Sequence, residues 1–256
     1  MNKRLLIILM LVSVTLLLSG CTEYDQPIYE DSKGFWNEFI VWPLVSFITL
    51  FKELLGSYGL GIVMVTIIIR LAILPLMIKQ TKSAKNMQDV QPELAKLKQK
   101  YSSKDAATQQ KYQQEMMALF KEKGVNPAAG CLPVVIQMPI LIGFYHAISR
   151  MNNTPEINLG SFLWFELAEP SIILAVLAGI MQFLVLRTGQ AMNNPQMKIM
   201  MYFMPIMIIG FGIFLPSALT LYWVIGNIIS LSQNMVIYKP WEKRTLQPAK
   251  TGGAKK

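Results

Sequence analysis

Residues Leu60 to Ile78 read LGIVMVTIIIRLAILPLMI, an apolar run of bilayer-crossing length broken by one charge, Arg70. At 1.5 Å per helical residue, Arg70 lies about 12 Å from Ile78, deeper than its side chain comfortably snorkels. A cation at the bilayer centre costs roughly 2.5–3.5 kcal/mol on insertion scales, and more in simulations. No membrane-length segment carries an acidic residue to neutralise it. Arg70 is therefore expected to face water inside the protein, or an acidic group brought by another molecule. Pairing with backbone carbonyls or local thinning of the bilayer is the purely structural alternative.

Composition places the rest of the chain in the same setting. With 53% hydrophobic and 15% charged residues and a mean hydropathy of +0.39, it is too apolar for an ordinary soluble domain. At 256 residues it is too long for a single anchor, so a polytopic membrane protein is expected. Residues 1–20 read as a signal peptide, with Lys3 and Arg4 before the apolar stretch Leu5 to Leu18. The segment ends Leu18-Ser19-Gly20-Cys21, which resembles a bacterial lipobox, implying cleavage and acylation at Cys21. An uncleaved signal anchor is the alternative. No disulfide is expected between Cys21 and Cys131, because the two are assigned to opposite sides of the membrane.

Hydropathy then gives five spans, near 58–78, 131–149, 170–187, 199–215 and 217–238. Charge orients them. Residues 22–56 hold two basic and six acidic residues, and the loop 150–169 sets Arg150 against Glu156, Glu166 and Glu169. The loop 79–130 carries ten lysines against five acids, and Arg187 and Lys198 flank the turn 187–198. The tail 239–256 has six basic residues and Glu242. The positive-inside rule makes the last three connections cytoplasmic and leaves the mature N-terminus outside.

Two segments outside the spans carry their own patterns. Phe35 to Leu55, within an N-terminal region 21–56, reads as an amphipathic helix on the outer interface, rich in Phe and Trp and ending at Gly56. A sixth span is the competing reading, although the apolar stretch Phe39 to Phe51 is only thirteen residues long. The loop residues 79–123 form a charged helical hairpin within the core region 57–238. Its first arm places Ala84, Met87, Val90, Leu94, Leu97 and Tyr101 on one face, with a break or kink expected at Pro92. Its second arm repeats the pattern at Tyr112, Met116, Leu119 and Phe120, with Ser103 as the expected N-cap and Gly124 at the C-terminus. Ribosomal RNA or anionic lipid would suit its lysines; setting topology is the plainer role.

Few other polar groups enter the spans. Trp223, Asn227, Ser230 and Asn234 share one helical face, Gln182 lies in the third span, Gln137 in the second, and Thr66 one turn before Arg70. Together they line one wet cavity with Arg70, or else each bonds across helices as ordinary packing. His146 points away from Gln137 and reads as structural.

The run Asn126-Pro127-Ala128-Ala129-Gly130-Cys131-Leu132-Pro133, continued by Ile136-Gln137-Met138-Pro139-Ile140, resembles a signature of the YidC/Oxa family of membrane-protein insertases. Gln114 to Leu119, Met200 to Pro205 and Leu215 to Trp223 resemble it too, so the likeness extends over about 57–240. The lipobox and short tail are similar to the Gram-positive, SpoIIIJ-like branch of lipoproteins. The resemblance implies an all-α polytopic fold: five transmembrane helices around a hydrophilic groove, with a cytoplasmic helical hairpin and an external amphipathic helix. It implies insertion of nascent membrane proteins into the plasma membrane, with the ribosome, the Sec translocon and membrane lipids as partners. It places Arg70, Thr66 and Trp223 in the groove, beside which Gln137, Gln182 and Asn227 are the further candidates.

Neither an enzymatic reaction nor a metal, cofactor or small-molecule substrate is expected. The sequence has no nucleotide loop, no metal-ligand cluster and no nucleophile paired with a base. A transporter using Arg70 to bind an anion is the rival class, yet the spans lack carboxylates for ion coupling and do not divide into paired repeats. A lipoprotein scaffold without transport activity is the third.

Overall fold

The computed structural model describes residues 23–103, 105–126, 132–189 and 195–238. The signal peptide, Cys21, Cys131 with most of the 126–133 run, and the basic tail 239–256 lie outside the described residues.

A π-helical turn, Asn37–Val41, continues into α1, Trp42–Leu55. Pro43 stands where the π-helical turn passes into α1, and Gly56 ends the helix at φ +88°, a conformation suited to a residue without Cβ. This is the helix expected from the aromatic-rich segment. Its Phe39, Phe47, Leu50 and Leu54 stay exposed, while Val45 and Ile48 are buried.

α2, Tyr58–Lys100, begins at Ser57, whose hydroxyl accepts a hydrogen bond from the Leu60 N–H at 3.2 Å. Its 43 residues make it about 65 Å long, twice a hydrocarbon core. No break separates the span expected to end near residue 78 from the hairpin expected to begin at 79, and Pro92 does not end the helix; Pro75 and Pro92 both lie inside it. Thr81 bonds back to the Met77 carbonyl at 2.9 Å, and the Lys, Gln and Ala residues around it favour helix. The first span and the first arm of the hairpin are thus one helix.

α3, Ala106–Glu122, is the second arm. Its N-cap is Asp105 rather than Ser103: the Asp105 carboxylate accepts from the Thr108 N–H at 2.7 Å, and the Ser103 hydroxyl donates to that carboxylate at 2.5 Å. Gly124, at φ +64°, follows the C-terminus as expected. The arms meet over Val90, Phe120 and Val125, with Lys123 paired to Glu93 at 2.7 Å and Lys100 to Glu115 at 3.2 Å.

Four further helices match the remaining spans: α4, Leu132–Asn152; α5, Ile172–Gly189; α6, Pro195–Phe214; and α7, Ser217–Tyr238. Between α4 and α5 a small antiparallel hairpin, β1 (Ser161–Phe162) and β2 (Phe165–Glu166), appears where only a loop was expected. By length and apolar composition α2 and α5 are able to cross a membrane, and the shorter stretch Met201–Phe214 of α6 is comparably apolar. Ile172, Ile173 and Ile180 on α5 and Ile199, Phe203, Ile206 and Phe214 on α6 face outward, an apolar exterior uncommon in water.

Side-chain hydrogen bonds fix the relative directions of the helices. Asn227 donates to the Ala178 carbonyl at 3.4 Å and Asn234 to the Val185 carbonyl at 3.0 Å; the partners advance by seven residues on each helix, so α5 and α7 run parallel. Arg70 lies against Gly226, and eleven residues on Thr81 accepts from Gln233 at 3.2 Å, so α2 and α7 are parallel as well. Gly179 faces Ile209 while Gly212 faces Ala175, which makes α5 and α6 antiparallel. These directions are those required when successive helices alternate. α7 is the central element, packed on α2 and α5, whereas among the described residues α4 and α6 form no packed interface with each other.

The end of the bundle that carries the starts of α2, α5 and α7 is covered. Ser217 and Ala218 donate backbone N–H groups to Glu169 and Leu167 at 2.9 and 3.0 Å, and Phe162 packs over Gly59. Segment 23–36 crosses the end of α4, burying Ile28, whose N–H donates to Thr154 at 3.0 Å.

The cap at Asp105 has a measurable signature. The Ser103 hydroxyl, then the Thr108 side chain and N–H, favour the ionised carboxyl and hold it down to about 2. Its stabilisation is complete above about pH 4, the unfolded value, and is lost as pH falls through the folded one. Asp105→Ala is expected to accelerate amide exchange at Thr108 several-fold at neutral pH while leaving α4 to α7 unchanged; an unaltered Thr108 rate would refute the cap.

Candidate functional site

Arg70 projects from the middle of the apolar part of α2 and is half-buried. Its guanidinium lies against α7 at Gly226, where an added Cβ would stand 2.4 Å from Nη2 and 3.0 Å from Cζ. Glycine is needed here for close approach, since any side chain occupies the place of the cation. One turn earlier on the same face, the Tyr222 ring presents its π-system 6.0 Å from the guanidinium carbon. Tyr222 is itself held: its hydroxyl accepts a hydrogen bond from the Gln137 amide on α4, and its ring stacks on Phe144 at 4.4 Å. Among the described residues no carboxylate lies within ion-pair distance of Arg70. The cation therefore has a fixed seat and a polarisable neighbour but no counter-charge.

The structure separates the other candidates by helix face. Thr66 is fully buried and donates to the Ile62 carbonyl at 2.6 Å, a local bond within α2. Asn227 and Asn234 turn toward α5 and bond its carbonyls, the packing role weighed for such groups. Ser230 donates to the Gly226 carbonyl at 2.8 Å. Trp223 is half-buried against the core, and Gln182 is half-buried on α5 between Ala178 and Val185. Of the named set, Gln137 reaches the Arg70 site through Tyr222, and Ser230 bonds the backbone of Gly226. His146 is 2% exposed, edge-on to Trp36 and Tyr145, consistent with a structural position.

Sequence reasoning missed Tyr222, the neighbour of the residue it chose, and Gly226. The available signal was their spacing of four on the helix that also carries the polar face. It also missed Arg150, counted only as a loop charge. Arg150 is 2% exposed; it donates to the Gln26 and Pro27 carbonyls at 3.1 and 2.9 Å and to the Asn37 side chain, and faces Glu23 at 3.5 Å. Among the described residues, one arginine is buried and fully partnered at the covered end, and another is half-buried at mid-bundle with no carboxylate in ion-pair distance.

Comparison with known proteins places this arrangement. The model of the family described as 60Kd inner membrane protein matches residues 50–244. The chain is 52% identical to "Membrane protein insertase MisCA" of Bacillus subtilis (strain 168), over 100% of this chain and 99% of that protein. It is 53% identical to "Membrane protein insertase YidC 2" of Bacillus anthracis over the whole of both. Among solved structures it resembles an active YidC insertase crystal structure with its first transmembrane domain resolved, with a TM-score of 0.59 and 28% identity. That alignment covers 78% of this chain and 46% of the other, so this chain spans about half the length of that protein. The chain belongs to the YidC/Oxa family of membrane-protein insertases.

The contact between Gly226 and Arg70 is open to test. Because the atoms in the way are the end of a flexible side chain, Gly226→Ala is expected to displace the guanidinium rather than the helix, leaving thermal stability in detergent nearly unchanged. Insertion measured by complementation should fall, and fall further in Gly226→Leu. Full activity in both variants would show that the seat is not used.

Proposed function

We propose that this protein is a membrane-protein insertase that receives nascent transmembrane segments from the cytoplasm and releases them sideways into the bilayer. The observation that carries the reading is Arg70: a cation at mid-depth, seated by Gly226 and Tyr222, with no acidic partner among the described residues. A charge kept without a counter-ion in a low-dielectric surrounding attracts a mobile acidic group strongly. At an effective dielectric of 20, two unit charges 4 Å apart gain about 4 kcal/mol.

In this reading α2, α4, α5, α6 and α7 are the five spans, and the groove opens where α4 and α6 leave each other unpacked. The short, often acidic, translocated segment of a client enters toward Arg70. Its apolar segment passes along the outward-facing side chains of α6 into lipid. Loops 153–171 and 23–36 cover the outer end, which supports a groove closed on that side. Thr66, Gln137, Gln182, Trp223 and Asn227 complete or brace the groove. No covalent step and no cofactor enters the process. The protein resides in the bacterial plasma membrane, with an acylated Cys21 outside and the basic tail in the cytoplasm. The hairpin α2–α3 is positioned to meet the ribosome, the Sec translocon or anionic lipid heads.

Complementation of an insertase-depleted strain tests the role of Arg70. Attraction of this kind makes no bidentate demand, so Arg70→Lys should retain much of the activity, whereas Arg70→Ala and Arg70→Glu lose it. Full activity of Arg70→Glu on a client with an acidic translocated segment would sink the attraction mechanism. Reconstitution should move a polypeptide terminus across the bilayer without solute flux. Topology is tested separately: a cysteine introduced at Asn153 should label from outside, and cysteines at Ser103 or Thr251 should not. External labelling at position 103 would overturn the orientation.

A further inference from the structure

Away from Arg70, an apolar cavity of about 390 Å³ opens beneath the π-helical turn and α1. Ile40, Leu44 and Phe47 form its roof, Val65 and Ile69 of α2 one wall, and Pro139 of α4 the other. Among the described residues, no polar or charged side chain lines it. Water finds no hydrogen-bonding partner among such side chains, so an apolar occupant is favoured.

Its depth and width narrow the choice. Ile69 lies eleven residues beyond Tyr58, and Pro139 eleven before Arg150. Both are therefore about 16 Å along their helices from the covered end, close to half of a ~30 Å hydrocarbon core. The cavity thus reaches through one leaflet, on the side where segment 23–36 crosses the bundle. A helical span is a cylinder about 10 Å across, much wider than a single acyl chain. A hydrocarbon chain is narrow enough.

The covered end also shows where such a chain comes from. Glu23 is held there: its carboxylate accepts from the Asn37 amide at 2.8 Å and faces the buried Arg150 guanidinium at 3.5 Å. Asn37 precedes Phe39, a residue of the cavity wall, by two positions. Cys21 precedes Glu23 by two, so its Cα lies within about 7 Å of that of Glu23. An acyl group on Cys21 is therefore tethered within two residues of the Glu23–Asn37 contact.

We propose that this cavity seats an acyl chain of the protein's own N-terminal lipid, and that the Arg150–Glu23–Asn37 cluster holds the anchor at its mouth. The proposal rests on the reading of Leu18 to Cys21 as a lipobox. The bound chain fills the space between the interfacial helix and the first two spans, which α1 alone leaves open.

The test uses full-length protein from cells fed a fatty acid bearing a diazirine, irradiated in their membranes and mapped by mass spectrometry. The acylated N-terminal peptide should be cross-linked to peptides containing residues 39–51, 65–69 or 139–140. Arg150→Gln should lower that yield several-fold. Ile68→Trp, which fills the cavity from its lipid-exposed wall, should do so as well without disturbing the Arg150 cluster. Phospholipid adducts on these walls, with the N-terminal lipid cross-linked elsewhere, would assign the cavity to free lipid and overturn the proposal. An N-terminal peptide without acyl mass would overturn it too, by removing the lipid anchor, while leaving the insertase function intact.

Discussion

The cost of holding Arg70 inside an apolar helix organises much of what surrounds it. A guanidinium at that depth must be solvated by something, and the structure supplies a missing side chain at Gly226, an aromatic face at Tyr222 and half-exposure instead of a carboxylate. A buried ion pair would have neutralised the charge instead. The close passage of α2 and α7 follows from the same requirement, since only a glycine lets the two backbones share the guanidinium. Tyr222 must then be fixed from the third side, which Gln137 and Phe144 of α4 provide.

Arg150 shows the opposite solution to the same problem. It is more deeply enclosed than Arg70, yet two carbonyls, an amide and a carboxylate occupy its donors. Removing one partner from such a cluster leaves a buried charge uncompensated, which is strongly destabilising. That arginine is consequently a fastener for segment 23–36, and its charge is spent locally. The contrast gives the molecule a polarity that net charge does not: a sealed end with a satisfied cation, and an interior whose cation is still available.

Periodicity and punctuation made the helices legible. The helices beginning at Tyr58, Leu132, Ile172 and Ser217 start within a few residues of where hydropathy put them, and Gly56 and Gly124 mark helix ends for the reason glycine usually does. The boundary between span and hairpin was not legible, because charge changes at Lys79 while backbone preference does not. Hydropathy reports solvent and helix propensity reports conformation, and over Lys79 to Lys100 the two diverge. The site was half legible. Arg70 is conspicuous by its charge, but its partners are a glycine and a tyrosine, residues that a search for polar groups passes over. The polar face of Asn227 and Asn234 was found correctly as a face, but a sequence does not say which neighbour a face meets, and it meets α5.

The continuity of α2 ties these parts together. Arg70 and the hairpin arm belong to one helix, and below Arg70 that helix is fastened to the end of α7. The Thr81 backbone accepts from the Tyr238 hydroxyl at 3.3 Å, and the Lys85 ammonium donates to the Ile237 carbonyl at 3.3 Å. The two helices that form the Arg70 seat are thus the two joined at the root of the hairpin. Pro75 lies between Arg70 and that root, so the contacts at Thr81 and Lys85 hold the two helices together beyond the one position where proline interrupts the backbone hydrogen bonding of α2 between them.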